Sequence, residues 1–327
     1  MKKLYYATFE RGLSSIVELF IKKQDKNSFV KKMYDDSVLF MADERFPLAN
    51  SCFKSAFVVI DHNKKEGVGA INVEMKKLLE RKDLKIFFPK EVSSFKLTIL
   101  KENENTLIDA SLKKAFETML KKVTKKQISF YSSSAELVLL AKKDGECLFM
   151  KKQAQMPELL KVQNKVELSP DIAHALCFLS EPCVSEVVLD PFAEYGMIPY
   201  VRALCFKKSN VIANEENEQN IAEIKKKAKS LKEKHFSVMN YDFLSDKFPI
   251  KFIDKIVTVL PGIVYGSLST TEFYRSFFEK VYNLKVKTLV VMVSKSTDIN
   301  RFIDEKFEIE LKTSTFKFNI FKLKYRG

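Results

Sequence analysis

The segment V-V-L-D-P-F-A-E-Y-G-M-I-P, residues 187–199, has the pattern of a buried strand, a tight turn and the start of a helix. Its apolar run ends in Asp190, turns at a proline and passes Gly196 before a second apolar stretch begins. A strand, a tight turn and a helix N-terminus form the first crossover of many nucleotide-type cofactor sites. Such turns usually have two or three glycines and this one has a single glycine, so its meaning depends on the segments around it.

The composition is that of an ordinary globular protein. Hydrophobic residues make up 46% and charged residues 30% of the 327 residues, which is enough chain for two domains with separate cores. No apolar run approaches the roughly 18 residues of a membrane-spanning helix, so we expect no membrane partner. The five cysteines are odd in number and show no C-x-x-C spacing. We therefore expect no disulfide and no metal site, and a cytoplasmic location.

The net charge of +14 favours a polyanionic partner. Residues 1–160 contain 30 basic and 21 acidic side chains, so +9 of this excess lies in the first half. Lysine-rich chains also arise from genome composition and from solvated faces. The charge alone therefore does not establish an RNA partner.

The first half predicts two successive α+β units. Strands are expected at 4–9, 37–42 and 55–60, and helices at 12–23 and 67–81. A second unit begins near Ser94, with strands at 95–100, 127–131, 135–142 and 146–151 and a helix at 105–122. The last two strands are joined through Asp144-Gly145, a strong hairpin signal. This unit contains the lysine pairs 113–114, 121–122, 125–126, 142–143 and 151–152, which are either solvated faces or phosphate contacts.

The second half alternates strands and helices, as a parallel sheet requires. Strands are predicted at 187–190, 209–215, 236–243, 252–261 and 288–294, with a closing antiparallel pair at 307–311 and 316–323. The intervening helices are predicted at 168–176, 220–234 and 271–281. Three of the strands end in an acid, namely Asp190, Glu215 and Asp242. Because the carboxyl ends of parallel strands meet at one edge, we expect these carboxylates to line a single crevice.

Residues 133–140, with the preceding helix and the hairpin that ends at Lys151-Lys152, resemble the THUMP domain. In that family the domain follows an N-terminal ferredoxin-like unit and binds structured RNA. Residues 5–13 are similar to the opening of that ferredoxin-like unit. The resemblance implies an RNA-binding region over residues 1–152, with the THUMP part at about 60–152, followed by a linker at 153–167.

Residues 168–327 resemble the Rossmann-like methyltransferases that depend on S-adenosylmethionine and have a mostly parallel seven-stranded sheet. The segment 189–199 is similar to the D-P-F-C-G-S-G-T-I-P motif of THUMP-containing RNA guanine-N2 methyltransferases. The resemblance implies S-adenosylmethionine as cofactor and tRNA or rRNA as partner. It places Asp190, Pro191, Phe192 and Gly196 at the methionine part of the cofactor. Glu215 would accept the ribose hydroxyls, and Asp242 would lie at the adenine amino group.

Three positions depart from the family pattern. Glu194 replaces the first motif glycine, and a residue with a Cβ resists the left-handed backbone of such turns. In T-V-L-P-G-I, residues 258–263, Val259 replaces the Asn or Asp that accepts a hydrogen from the target amine, and Gly262 replaces an aromatic residue. Thr258 and Pro261 are then the candidate catalytic residues.

Two hypotheses follow from this sequence. The chain is either an active methyltransferase acting on a guanine exocyclic amine, or a degenerate relative that serves as an RNA-binding or partner protein. A nicotinamide-dependent dehydrogenase is disfavoured, because the G-x-G-x-x-G turn is absent.

Overall fold

The chain folds around two β-sheets, as seen in a computed structural model. The structure describes residues 2–48, 52–64, 70–80, 92–102, 104–105, 110–129, 134–153, 167–206, 209–231, 235–262, 268–303 and 305–326. No helix within these ranges is both long and apolar enough to cross a membrane.

The first sheet belongs to the N-terminal half. Its strands are β1 (Lys2–Thr8), β2 (Phe29–Met33), β3 (Ser37–Asp43), β4 (Ser55–Lys64), β5 (Ser94–Lys101), β6 (Glu104–Asn105), β7 (Gln127–Ile128), β8 (Ala135–Ala141) and β9 (Glu146–Lys152). They pair in the order β2-β3-β1-β4-β9-β8-β5-β6, and β7 also pairs with β5. The helices of this half are α1 (Ser14–Gln24), α2 (Ala70–Leu79) and α3 (Ala110–Thr124).

Strand β4 connects the two predicted units of this half. It pairs antiparallel with β1 on one side and with β9 on the other, so both units contribute to one sheet. The predicted hairpin between β8 and β9 is confirmed, and Gly145 in its turn has a φ of 87°. The edge strand β2 was not predicted, because its sequence F-V-K-K-M lacks an apolar alternation. Parts of the predicted elements at 67–81, 105–122 and 127–131 lie outside the described residues.

The second sheet confirms the predicted Rossmann-like order. Its strands are β10 (Val187–Asp190), β11 (Asn210–Asn214), β12 (Phe236–Met239), β13 (Lys255–Val259), β14 (Thr288–Ser294), β15 (Phe307–Ser314) and β16 (Phe318–Tyr325). They pair in the order β12-β11-β10-β13-β14-β16-β15. The first five are parallel, and β16 runs antiparallel to both of its neighbours. The helices are α4 (Pro170–Leu179), α5 (Met197–Cys205), α6 (Glu218–Leu231) and α7 (Thr270–Asn283), followed by a short 3-10 helix (Asn300–Phe302).

Strand β14, at the centre of this sheet, is apolar on both faces because both faces are covered. Val290 and Met292 pack into the core on the side of α4, whereas Leu289, Val291 and Val293 pack into the core on the side of α7. A strand covered on both faces has no polar alternation, as its sequence T-L-V-V-M-V-S shows.

The two halves share a hydrophobic core. The Phe20 ring on α1 lies 5.4 Å from the rings of both His174 and Phe178 on α4. His174 is buried at this contact, and its ring is part of the packing between the two halves. Gly12 has a φ of +91°, and a Cβ at this position would lie 2.3 Å from the Ser314 carbonyl oxygen. The N-terminal half therefore packs directly against the C-terminal half, and at Gly12 the contact is between backbone atoms. The predicted linker at 153–167 lies mostly outside the described residues.

Candidate functional site

The three predicted acids follow three neighbouring strands. Asp190 is the last residue of β10, Glu215 directly follows β11, and Asp242 lies three residues beyond β12. These strands are parallel and adjacent, with Asp190 in register with Ala213 and Asn214 in register with Met239. The carboxylates consequently lie along one edge of the sheet, as the sequence predicts.

Asp190 is a buried carboxyl with few polar contacts. Its side chain accepts a hydrogen bond from the Thr258 hydroxyl at 2.7 Å and from the Phe192 N–H at 3.4 Å. Burial raises the pKa of Asp190 to about 7, and the charges of Glu194 and Glu215 act in the same direction, whereas the two hydrogen bonds oppose the shift. Asp190 therefore changes its protonation state near neutral pH.

The turn after β10 uses two left-handed residues. Glu194 has a φ of 47°, and Gly196, which caps the N-terminus of α5, has a φ of 76°. A Cβ on Gly196 would approach the Ile224 Cγ1 atom of α6 to 2.8 Å, so the glycine is needed for helix packing as well as for its backbone angle. Glu194 thus adopts the left-handed backbone that a residue with a Cβ disfavours, which costs about 1 kcal/mol.

Glu215 ties two of the strand-end loops together. Its carboxylate accepts hydrogen bonds from the backbone N–H groups of Glu194 at 2.8 Å, Glu216 at 3.1 Å and Asn217 at 2.8 Å. A carboxylate offers about four acceptor positions, so acceptor capacity remains for a ligand hydroxyl. Asp242 is exposed and accepts the Leu244 N–H at 2.9 Å.

Asn214 is a site residue that the sequence reasoning missed. Its side-chain amide donates to the carbonyl oxygens of Pro191 at 3.1 Å and Tyr241 at 2.8 Å, and accepts the Tyr241 N–H at 3.1 Å. One buried side chain at the end of β11 thus fixes the loops that follow β10 and β12. A polar residue at the buried last position of a strand, directly before an acid, was the available signal.

Phe192 anchors the turn in the core. Its ring lies 5.8, 5.5 and 5.9 Å from the rings of Phe243, Phe273 and Phe277. Pro191, its neighbour, is buried and contributes its carbonyl to Asn214. These two predicted cofactor residues thus have packing and loop-fixing contacts in the structure.

A small cavity lies beside Asp190. It has a volume of about 20 Å³ and is bordered by Glu167, Ala193, Tyr195 and Val259 among others. This is room for about one water molecule, whereas ligand sites usually measure about 300–1,000 Å³. Lys227 on α6 closes part of the rim, because its ammonium pairs with the Glu167 carboxylate and donates to the Tyr195 carbonyl at 2.7 Å. The cavity has to widen before an amino-acid group can enter.

The segment after β13 provides the candidate catalytic residues. Thr258 is buried and is committed to Asp190, while Val259 borders the cavity with a side chain that cannot accept a hydrogen bond. The Pro261 carbonyl accepts a hydrogen bond from the Tyr274 hydroxyl at 3.0 Å. A Cβ on Gly262 would meet no atom within 4 Å, so there is space for a larger side chain there. Tyr265, the nearby aromatic residue that could take the place of the ring missing at Gly262, lies outside the described residues.

The fold has well-defined structural relatives. No protein-family model and no curated protein matches the sequence. TrmN from Thermus thermophilus has a TM-score of 0.75 at 13% identity, covering 99% of this chain and 100% of that one. A predicted N6-adenine-specific DNA methylase from Listeria monocytogenes gives 0.69 at 15% identity, covering 100% and 97%. SMU.472, assigned as a methyltransferase and complexed with SAH, gives 0.68 at 13% identity, covering 100% and 99%.

At such identities the likeness concerns the fold. The chain has the architecture of these methyltransferase-fold proteins from end to end, which confirms the predicted fold class. Within the described residues no cluster of His, Cys, Asp and Glu has the arrangement of a metal site.

Proposed function

We propose that this chain is an S-adenosylmethionine-dependent methyltransferase that acts on RNA, with a guanine exocyclic amine in tRNA or rRNA as its target. The proposal rests mainly on the arrangement of Asp190 and Glu215 at one edge of the sheet. Both carboxylates accept backbone N–H groups of the turn that follows β10. Asp190 is 3% exposed and has its pKa raised to about 7. A buried ionisable group next to a crevice is costly to the fold, which favours a functional role.

The residue types at this edge fit the cofactor. Glu215 has acceptor capacity for ribose hydroxyls, Asp242 is an exposed acceptor for an adenine amino group, and ionised Asp190 would attract an ammonium group. When bound, the cofactor supplies an electrophilic methyl group. The task of the chain is to bind and orient the cofactor and to hold the target amine near Pro261.

The RNA partner is supported by charge. The first half has +9 of the net +14, and its lysine pairs belong to the region that resembles a THUMP domain. We place the RNA-binding region at 1–152, with a THUMP part at about 60–152, the linker at 153–167 and the methyltransferase domain at 168–327, in a cytoplasmic protein.

A second candidate function is that of a non-catalytic, RNA-binding relative. It is favoured by Val259, which offers no acceptor to a target amine, and by the small cavity beside Asp190. The left-handed backbone of Glu194, which borders the same cavity, is a third feature that favours this function.

Transfer of a labelled methyl group from S-adenosylmethionine to bulk tRNA and rRNA tests the proposal. The wild-type protein should transfer label, and Val259→Asn should transfer it faster, because asparagine restores an acceptor for the amine. Val259→Ala is the matched control, since alanine changes the volume without adding an acceptor. Transfer by Val259→Asn alone would favour the second candidate, and no transfer by any of the three would exclude the enzymatic function.

A further inference from the structure

A second cleft lies on the methyltransferase-like half, between α7, the 3-10 helix and the start of β15. Its volume is about 610 Å³. We call it the α7 cleft and define it by Arg275, Glu279, Tyr282, Arg301, Phe302 and Lys306.

Cations and aromatic rings alternate along the α7 cleft. Arg275, Arg301 and Lys306 are exposed, and Glu279 is the acid in the described lining. The Lys306 ammonium lies 3.6 Å from the centroid of the Tyr282 ring, and the Arg301 guanidinium lies 4.8 Å from that of Phe302. Acids lie beside these cations as well: Glu279 is in the lining, Asp298 interacts with Arg301, and Glu272 interacts with Arg275.

The wall of the α7 cleft is in contact with the candidate catalytic segment. The Phe302 ring lies 5.6 Å from the Tyr274 ring, and the Tyr274 hydroxyl donates to the Pro261 carbonyl. A polymer that delivers a nucleotide to Pro261 would therefore pass within one side-chain layer of the cleft.

We propose that the α7 cleft binds a single-stranded segment of the RNA substrate. Cations beside aromatic faces suit phosphates and stacked bases, and this combination is typical of single-strand binding. Arg275 and Tyr282 lie two helical turns apart, about 10 Å, so the cleft is long enough to contact more than one nucleotide. The inference rests on the proposed function, because it takes RNA as the substrate.

Fluorescence anisotropy with a labelled 12-nucleotide oligo(U) and the full chain tests the α7 cleft. Arg275→Ala combined with Arg301→Ala removes two cations. At about 0.7 per neutralised phosphate, the slope of log K against log salt should fall by about 1.4, which corresponds to a roughly 25-fold loss of affinity at 0.1 M salt. Lys225→Ala combined with Lys229→Ala is the matched control, since it removes the same charge from the exposed face of α6 and should change affinity less than about two-fold.

The outcomes separate the cleft from the proposed function. If the arginine variant binds like wild type, or the control weakens as much, the α7 cleft is not the site and the proposed function is untouched. If wild type does not bind the oligomer, the proposal for the α7 cleft is wrong, and methyl transfer to bulk tRNA and rRNA decides separately whether RNA is the substrate. Cross-linking of a 4-thiouridine oligomer gives a readout that needs no variant to fold: the inference requires adducts on residues 275–306, and adducts confined to the N-terminal half would overturn it.

Discussion

Asp190 makes the fold sensitive to pH in a direction opposite to that of a salt-bridged acid. Its pKa is raised from 3.8 in the unfolded chain to about 7 in the folded one. The folded chain therefore binds the extra proton, and the stability that this proton provides is lost as the pH rises towards 7. Asparagine at this position cannot ionise but can still accept the Thr258 hydroxyl. We expect Asp190→Asn to remove this dependence.

The magnitude follows from the distance in pH. At pH 5 the folded carboxyl is two units below its pKa, and each unit corresponds to about 1.4 kcal/mol. The difference in unfolding free energy between Asp190→Asn and wild type should thus shift by about 2.7 kcal/mol in favour of the variant between pH 5 and pH 8.5. For a domain of this size that is roughly 5–11 °C in melting temperature.

Thermal melts of both proteins at half-unit pH steps measure this shift. Asp254→Asn is the control with the opposite sign: although burial acts against it, hydrogen bonds from Lys287 and the Val187 N–H lower the pKa of Asp254, so this variant should lose its disadvantage as the pH falls. Parallel melting curves for wild type and Asp190→Asn across the whole range would refute the reasoning about Asp190.

Three further substitutions have defined outcomes. Gly12→Ala should lower the unfolding free energy by about 3 kcal/mol in denaturant titration, because its Cβ would meet the Ser314 carbonyl and its φ is left-handed; a loss below about 1 kcal/mol would contradict the close approach. Arg202 and Glu186 form a buried ion pair, so Arg202→Met should lower the unfolding free energy by about 3 kcal/mol because it leaves the buried Glu186 charge with less compensation. Adding Glu186→Gln should recover part of this loss; a double variant no more stable than Arg202→Met would show that the ion pair is not the cause. Glu194→Gly should stabilise the fold by about 1 kcal/mol in thermal melts, since it relieves a left-handed φ, and an unchanged or lower melting temperature would contradict this strain. The same variant should tighten S-adenosylhomocysteine binding in calorimetry, since it removes a carboxylate from the cavity rim, and weaker binding would contradict this second effect.

The order of elements was predictable because it depends on local pattern. The apolar run of β14 predicts that strand directly. The acids that end β10 and follow β11 lie next to the strands whose ends they mark. Parallel pairing then places the acids at one edge without further information. The left-handed turn at Glu194 was also predictable, because backbone constraints act on single residues.

Contacts between distant segments were not predictable. Asn214 meets Tyr241 27 residues away, and Lys227 meets Glu167 60 residues away. No periodicity encodes such pairs, since they arise only when α6 has packed beside the turn. The raised pKa of Asp190 has the same origin, because burial is a property of the assembled sheet. The edge strand β2 was missed because none of its side chains is buried, and its one aromatic ring, Phe29, is 59% exposed, so its sequence shows no apolar alternation.

Calorimetric titration of the full chain with S-adenosylhomocysteine tests the central claim most directly. We predict saturable binding by wild type, about ten-fold weaker binding by Glu215→Gln, equivalent to about 1.4 kcal/mol, and little change for the exposed neighbour Glu216→Gln. Glutamine keeps one acceptor oxygen for the Glu194 N–H, whereas its NH2 group cannot accept the Glu216 and Asn217 N–H groups, so the variant loses the charge together with part of the local turn contacts. No heat at millimolar ligand, or equal affinity for wild type and Glu215→Gln, would contradict the assignment of this edge as the cofactor site.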